Sequence, residues 1–413
     1  MATFRRLEGD EVVQQATAID HAFGSGAGPP SYDGPEDVRD RIAERWGLFE
    51  DGALVSTCAL YDLRATLAGE RRPVGGFAAF ATPPEHRAAD HGERLQREAL
   101  RVFRDRGYPY AALWPNSIPY YRRSGWGLVH AETEYRFPAD ALPSANAEGA
   151  FERLTPDDYE RLLPAHEEWA AGYELALDRS ARWWRERTLD DDWIYCWTPT
   201  DSRCSSVEPG LTQLGRTPAD AEVPAGYVVF RLPGESEDGS GATMVVDELV
   251  YRTEEARRQL LELVRRHAPQ VDKVRWSAPE ETRLVHDAVD PKAVTATVEP
   301  GAMGRIVDLE AAIECLPAER TPERPVTVDV DDPLLPANDA TIRIEPGPDG
   351  PTCEPTDAEP DVELGVGLLS KLYVGTLAPS TAADRGLLAA TDDAVADLDA
   401  LFPERPVYLT DFF

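Results

Sequence analysis

From Val74 the chain reads Val74-Gly-Gly-Phe-Ala-Ala-Phe80-Ala81-Thr82, then Pro83-Pro-Glu-His-Arg87-Ala88-Ala89-Asp90-His91-Gly92-Glu93. An arginine-rich run to Arg106 follows, then Tyr110-Ala-Ala-Leu-Trp114 and Asn116-Ser117-Ile-Pro-Tyr-Tyr121-Arg-Arg-Ser-Gly-Trp-Gly127. The order is apolar strand, turn, helix, strand, turn. A turn that runs into a helix N-terminus offers backbone N–H groups and the positive end of the helix dipole to a pyrophosphate. Glycine at position 92 lets the backbone come close, and Arg87 can add a charge-assisted hydrogen bond. Asp90 stands where such a cradle would have another glycine, and it brings a negative charge. An ordinary strand-to-helix loop of an α/β domain reads the same way, so the local pattern leaves both meanings open. Tyr121 has two meanings as well: an aromatic packing residue at a helix end, or a phenol that protonates a leaving thiolate.

Working outward, Asp10 to Phe23 carries apolar residues at helical spacing and stops at Gly24, before a Gly/Pro loop over 25–34. Pro35 to Trp46 predicts a second helix, with proline at its start and acid in its first turn. Leu48-Phe49 and Ala53 to Leu60 flank Glu50-Asp51-Gly52, a hairpin signal. Asp62 to Leu67 and Val74 to Ala81 predict two more strands, separated by Gly69 to Pro73. A helix follows from about His91 to Arg106, and Gly127 to Phe137 predicts a last strand. The result is an α/β domain ending near Pro143.

Past an Ala/Ser/Asn-rich boundary at 143–149 the plan repeats. Phe151-Glu-Arg-Leu154 echoes Phe4-Arg-Arg-Leu7, and Thr155-Pro-Asp-Asp158 is a helix start with proline at the first helical position. An aromatic stretch runs from Trp183 to Trp197. Gly226 to Leu232 and Thr243 to Tyr251 predict strands, Glu254 to His267 predicts a helix, and Val274-Arg-Trp276 parallels Ala111 to Trp114. This reads as a duplicated domain. Arg252-Thr-Glu-Glu255 stands where the first copy has its turn, so the phosphate cradle is missing. Polar loops fill 199–224 and 233–242. The last segment opens at Gly304-Arg-Ile-Val-Asp308, alternates as strands over Val326 to Val330 and Thr341 to Glu345, and turns at Gly347 to Gly350. A capped helix spans Thr391 to Phe402. The chain ends on Val407-Tyr-Leu-Thr-Asp-Phe-Phe413, an apolar terminus that predicts burial.

A chain of 413 residues holds two or three domains. No apolar run reaches the length of a membrane span, and no signal region opens the chain, so a cytoplasmic protein is expected. Asp plus Glu number 75 against 42 Lys plus Arg, a net charge of −33. Lysine occurs only at Lys273, Lys292 and Lys371. Such a surface marks a basic partner or adaptation to saturating salt. The acid is spread along the whole chain, which favours salt adaptation and disfavours nucleic acid as a partner. Cys58, Cys196, Cys204, Cys315 and Cys353 form no CxxC, an odd set that suits a reducing compartment. His86 and His91 lack metal-pair spacing, and no metal site is expected.

Pro84-Glu-His-Arg87, Ala112-Leu-Trp114 and Tyr120-Tyr121-Arg-Arg-Ser-Gly125-Trp-Gly127 together resemble the GNAT N-acetyltransferases, in their Eis-like (enhanced intracellular survival) branch. Gly304 to Asp308, Asp332-Pro-Leu-Leu-Pro-Ala-Asn338-Asp, Glu359-Pro-Asp361 and Tyr373-Val-Gly375 resemble that family's sterol-carrier-like domain. The resemblance implies an α/β (α+β) fold: a GNAT domain over 1–143, a degenerate GNAT-like domain over 150–295, and a sterol-carrier-like domain over 296–413. It implies acetyl-CoA as donor, held by Phe80, Ala81, Thr82, Arg87, Ala88, Ala89, Asp90, His91, Gly92, Glu93, Asn116 and Ser117. It implies Tyr121 as general acid and the terminal carboxylate of Phe413 as general base, which needs burial to raise a pKa ordinarily near 3.5. The acceptor would be a primary amine of aminoglycoside, polyamine or lysine type, and the assembly a homo-hexamer with neither membrane nor nucleic acid as partner. Asp90, and the alanines at 88 and 89 where the family carries arginines, define an alternative: a non-catalytic CoA- or lipid-binding assembly protein.

Overall fold

A computed structural model describes residues 2–24, 32–87, 89–190, 192–200, 223–232 and 241–413. The Gly/Pro loop at 25–31 and most of the loops at 199–224 and 233–242 lie outside them, as does Cys204. Two compact units result. One comprises 1–130, 173–178 and 301–413, and the other 131–172 and 179–300.

In chain order the first elements are β1 (Thr3–Arg6), α1 (Glu11–Phe23), β2 (Glu44–Glu50), β3 (Ala53–Leu67), β4 (Glu70–Ala81), α2 (His91–Asp105), β5 (Tyr110–Leu113), α3 (Ile118–Arg123) and β6 (Gly127–Leu128). Both early hairpins close through two residues at positive φ, Asp51-Gly52 (50° and 84°) and Ala68-Gly69 (56° and 84°). That geometry matches the right-handed strand twist. β3 is one continuous strand, not the two expected, because β4 pairs with it from Leu67 back to Thr57. The helix expected over Pro35 to Trp46 is also absent. Asp37 turns its carboxylate back onto the amides of Asp33 and Gly34 (2.7 and 3.3 Å), closing a single turn. Residues from Glu44 on then satisfy the ladder between β1 and β3. On one face of the sheet α2 buries Leu95, Ala99, Leu100 and Phe103 against Leu60, Phe77 and Leu113. Each large side chain so buried contributes about 1.5–3 kcal/mol.

The second unit is built from β7 (Ala131–Phe137), β8 (Gly149–Leu154), α4 (Leu163–Ala170), α5 (Ala181–Trp183), β9 (Trp193–Pro199), β10 (Gly226–Arg231), β11 (Thr243–Tyr251), α6 (Glu254–Arg265), β12 (Lys273–Pro279) and β13 (Thr295–Pro300). Its sheet runs β13-β7-β12-β11-β10-β9-β8. The expected strand Gly127 to Phe137 is divided. Gly127–Leu128 closes the first sheet, whereas Ala131–Phe137 pairs with β12 and β13 of the second.

The first sheet is completed from far along the chain. β14 (Met303–Ile306) inserts between β5 and β6, giving the order β1-β2-β3-β4-β5-β14-β6. The Gly304 stretch therefore belongs to this sheet and does not open the last domain. That domain follows with α7 (Leu309–Glu314), β15 (Val326–Asp331), β16 (Ala340–Glu345), β17 (Thr352–Pro355), β18 (Val362–Gly365), α8 (Val366–Tyr373), α9 (Pro379–Asp384), β19 (Ala389–Ala390) and α10 (Asp392–Leu401). Its sheet order is β17-β16-β15-β18-β19.

A buried polar knot fastens this domain to the first sheet. Arg305 of β14, fully shielded from solvent, donates to the Ser124 carbonyl and pairs with Asp332. Burial lowers the Arg305 pKa, and the Asp332 carboxylate opposes that shift. Asp332 also accepts from the amides of Leu334 and Leu335 (2.8 and 2.9 Å) and from Asn338 Nδ2 (3.2 Å). Nearby, Ser370 Oγ of α8 accepts from the Ile306 amide (2.9 Å), and Tyr110 Oη donates to the Ser370 carbonyl (3.0 Å). The Asp332-to-Asn338 motif is thus explained by its buried cation. Asp332→Asn strands that cation without a counter-charge and should lower unfolding free energy by about 3–5 kcal/mol in urea titration. The double replacement Arg305→Met with Asp332→Leu should cost clearly less.

Candidate active site

The first sheet opens into a fork. β4 and β5 pair in parallel only at Val74–Tyr110, Gly75–Ala111 and Gly76–Ala112. Beyond Gly76, β4 stays with β3 as far as Ala81, while β5 keeps β14 on its other edge and leaves β4. The facing backbone edges of 77–81 and 113–114 have no ladder partner there, a slot that suits an extended chain with amide groups. A bulge sharpens it: Ala79 and Phe80 together oppose Cys58 of β3. Ala79 takes φ 48°, an unfavourable value for a residue with a Cβ, and so re-aims the peptide groups at the end of β4. Nothing in the residue types announced this bulge.

At the head of the fork lies the N-terminus of α2. Its first amides have no acceptor within the helix, and Asp90 at the cap makes no side-chain hydrogen bond to them. Gly92 is needed for clearance, since a Cβ there would lie 2.4 Å from Tyr120 Oη and 2.9 Å from Phe80 Cζ. Tyr120 and Phe80 stack at 6.0 Å. Tyr120 also accepts from Gln96 Nε2 (3.2 Å), whose Oε1 accepts from Trp126 Nε1 (3.1 Å). Thr82 Oγ1 lies 3.0 Å from Ser56 Oγ, and Arg87 Nε donates to the Thr82 carbonyl (3.0 Å). Ala81 is buried in the ladder, whereas Ala89 and Asp90 are exposed and His91 is half-buried. Glu93 is exposed and pairs with Arg97 at 2.6 Å. Asn116 and Ser117 are exposed just beyond β5, on the other prong. Ala88 lies outside the described residues.

Tyr121 sits inside the core on the α2 face, with Phe77, Phe103 and Trp126. Burial pushes its phenol well above the ordinary value, with Tyr120 and Cys58 adding to the shift, so the group stays protonated at neutral pH. Phe413 approaches from the opposite face. A Cβ on Gly75 would point into Phe103 of α2, whereas one on Gly76 would meet Tyr61 and Leu63, and then Phe413 Cε2 at 3.1 Å. The Phe413 ring is buried against Tyr61 at 5.3 Å. Trp114 Nε1 donates to the Asp411 carbonyl (3.0 Å), and the indole lies 5.6 Å from the Phe412 ring. The chain terminus and Tyr121 thus flank the fork from opposite faces of one sheet. Trp114, a tail anchor, appeared in the sequence only as part of a strand.

In the second unit the same β–α–β arrangement recurs, but its helix end is capped and one sheet face is filled. β11 and β12 pair in parallel over Thr243–Lys273 to Val246–Trp276. The N-terminus of α6 is capped by Thr253, which accepts from the Ala256 amide (3.1 Å), and its first turn carries Glu254 and Glu255. One face of this sheet is plugged by Glu248. It accepts two hydrogen bonds from Arg179 (3.0 and 2.6 Å) and one from Tyr227. The Thr253 cap takes one of the first amides and two acids follow it, so this helix end is less suited to an anion than that of α2. Among the described residues no group of three or more His, Cys, Asp or Glu is arranged to hold a metal, and no helix is long and apolar enough to cross a membrane.

Two forked sheets, one with its helix end uncapped and one with it capped, followed by a small α+β domain, define a tandem acetyltransferase with an appended carrier-type domain. Acetyltransferase (GNAT) domain models match residues 3–129 and 175–306, and a sterol carrier protein domain model matches 309–410. An uncharacterized N-acetyltransferase of Streptomyces avermitilis is 26% identical over 383 residues, covering 87% of this chain and 85% of that one. The N-acetyltransferase Eis of Mycobacterium tuberculosis is 27% identical over 370 residues, covering 85% and 84%. Among solved structures, a GCN5-related N-acetyltransferase from Anabaena variabilis has TM-score 0.82 at 19% identity. Eis1 from Mycobacterium abscessus has TM-score 0.73 at 24% identity; each alignment spans both chains completely, and these two likenesses bear on the fold. The chain belongs to the Eis-like GNAT N-acetyltransferases that carry a C-terminal sterol carrier protein domain.

The exposed Asp90 carboxylate opposes anion binding at the α2 N-terminus. Asp90→Gly should tighten acetyl-CoA binding about two- to fivefold at low ionic strength, a gain that shrinks as salt is raised. Isothermal titration calorimetry at two salt concentrations measures both effects.

Proposed function

We propose that the protein transfers the acetyl group of acetyl-CoA directly to a primary amine, with Tyr121 as general acid and the Phe413 carboxylate as general base. What carries the reading is the approach of these two residues to one fork from opposite faces. Direct transfer needs a base on the amine side of the carbonyl and an acid on the sulfur side. The unpaired edges of 77–81 and 113–117 would hold the donor's extended arm. The free α2 amides around Gly92, with Arg87, would hold its pyrophosphate. Acetyl-CoA supplies an activated thioester. As the amine nitrogen bonds to the carbonyl carbon, the Phe413 carboxylate takes the ammonium proton. As the carbon–sulfur bond breaks, Tyr121 Oη gives its proton to the thiolate.

The acceptor we propose is an amine of aminoglycoside, polyamine or lysine type. The labour divides along the chain: catalysis on the first sheet, which β14 completes, a scaffold in the second unit, and delivery of the base by the domain that follows β14. The active form is a cytoplasmic hexamer. Asp90 motivates the alternative of a non-catalytic binding protein, while the open N-terminus of α2 and the place of Tyr121 beside Phe77 support catalysis.

Turnover is measured as thiol release from acetyl-CoA, with kanamycin, spermidine and a lysine-containing peptide as acceptors. Tyr121→Phe should lower kcat by about 10²–10⁴-fold, and so should a short C-terminal extension that removes the terminal carboxylate from its place. Wild-type rates from both folded variants would exclude the assignment, and no calorimetric signal with acetyl-CoA in high salt would exclude transfer altogether. We also propose that the dispersed acid is a salt adaptation. Raising KCl from about 0.1 M to several molar should increase Tm by on the order of 10 °C as the carboxylates cease to repel one another.

A further inference from the structure

The terminal carboxylate can act as a base only if the tail that carries it is held in place. From Arg405 to Phe413 the chain can span about 26 Å when extended, at roughly 3.3 Å per residue. The structure shows what holds it. Residues 173–178 lie between the end of β3 and the tail, as a strap. On the β3 side, the Leu175 amide donates to the Thr66 carbonyl (2.8 Å), Thr66 to Ala176 (3.0 Å) and Asp178 to Arg64 (2.8 Å). On the tail side Glu174 supplies two backbone hydrogen bonds and an ion-pair bridge, and the Tyr173 ring packs against Tyr408 at 5.9 Å. The Glu174 amide donates to the Pro406 carbonyl (2.9 Å), and its carbonyl accepts from the Tyr408 amide (3.0 Å). Its side chain, wholly buried, takes Arg405 Nη1 at 3.0 Å and Arg320 Nη2 at 3.3 Å on the same oxygen, Oε1. The Ala68 backbone also faces this carboxylate. Gly69, in the β3–β4 turn, makes room for the arrangement, because a Cβ there would lie 3.1 Å from Arg405 Nη1.

We propose that Glu174 is a positioning residue of the transfer reaction: its carboxylate, bridging Arg320 and Arg405, fixes the tail so that the Phe413 carboxylate stands at the fork. Arg320 is a buried anchor from the C-terminal domain, whereas Arg405 is a third exposed and belongs to the tail. Without the carboxylate between them the two guanidinium groups repel, and only Arg405 can move out into water. It would take the start of the tail with it. The cost of burying Glu174, which raises its own pKa, is offset by this pair of cations. This inference rests on the assignment of Phe413 as base.

Glu174→Gln keeps the volume and both backbone contacts and removes only the charge. In the full-length protein it should lower kcat about 10–100-fold and leave the acetyl-CoA KM within about twofold, because the fork itself is untouched. Carboxypeptidase Y, followed by mass spectrometry, reads the tail without any acceptor. Release of Phe413 should be slow in the wild type and about tenfold faster or more in the variant. Arg405→Gln should reproduce both effects from the exposed side, even if Glu174→Gln does not fold. The double variant should lose no more than the worse single one. Unchanged trimming in the folded variants, or an acetyl-CoA KM that rises as much as kcat falls, would overturn the role of Glu174. If a C-terminal extension leaves turnover intact, the base assignment fails instead; if the extension abolishes turnover while Glu174→Gln trims and turns over as wild type, only this inference fails.

Discussion

Arg305 has no contact with water, and its charge is answered by Asp332 and the Ser124 carbonyl. A buried guanidinium is tolerated only beside a counter-charge, so this residue dictates where three pieces of chain must meet. β14 has to lie in the first sheet to carry it. The turn after α3 has to present Ser124, and the start of the C-terminal domain has to present Asp332. Once these are placed, α8 lies against β14 and β6 with Ser370 on the Ile306 amide. The later tail is then within reach of the fork. The geometry around Tyr121 and that around Phe413 therefore descend from one buried ion pair.

The two forked sheets show how little backbone difference separates an uncapped helix end from a capped one. Both carry parallel strands joined by a helix, and both contain a bulge where the strands diverge. What differs is the first helical turn and the filling of the sheet face. Asp90 leaves the α2 amides uncapped and Gly92 leaves room beside them, whereas Thr253 caps α6 and two glutamates follow it. The Arg179–Glu248–Tyr227 set occupies one face of the second sheet with groups satisfied by each other. The side-chain cap on the first turn and the clearance beside it are what set the two helix ends apart.

Local signals carried far. The hairpin at Asp51-Gly52, the helix from His91, the capped helix after Thr391 and the repeat of strand–helix–strand follow from turn chemistry, capping and periodicity, which act between near neighbours. Errors arose where a distant partner overrode local preference. Pro35 to Trp46 has a helical start, yet Glu44 to Glu50 completes a ladder between β1 and β3. Gly127 to Phe137 is uniformly extended in character, and only the partner strands decide that it is shared between two sheets. The bulge at Ala79 carries no glycine to mark it, and the anchoring roles of Trp114 and Glu174 depend on a tail hundreds of residues away.

The sequence by itself determined that the two helix N-termini differ, one beginning at Asp90-His-Gly92 and the other at Thr253-Glu-Glu255, because residue type acts on the amides next to it. It determined that the terminus is apolar and seeks burial, since that is a property of residue type. Only the tertiary structure decided that β14 completes a sheet begun about 300 residues earlier, that Tyr121 and Phe413 flank one fork from opposite faces, and that Glu174 holds the tail. Those arrangements are fixed by buried charges and ladder hydrogen bonds between remote segments, whose energy depends on where the chain has already been placed.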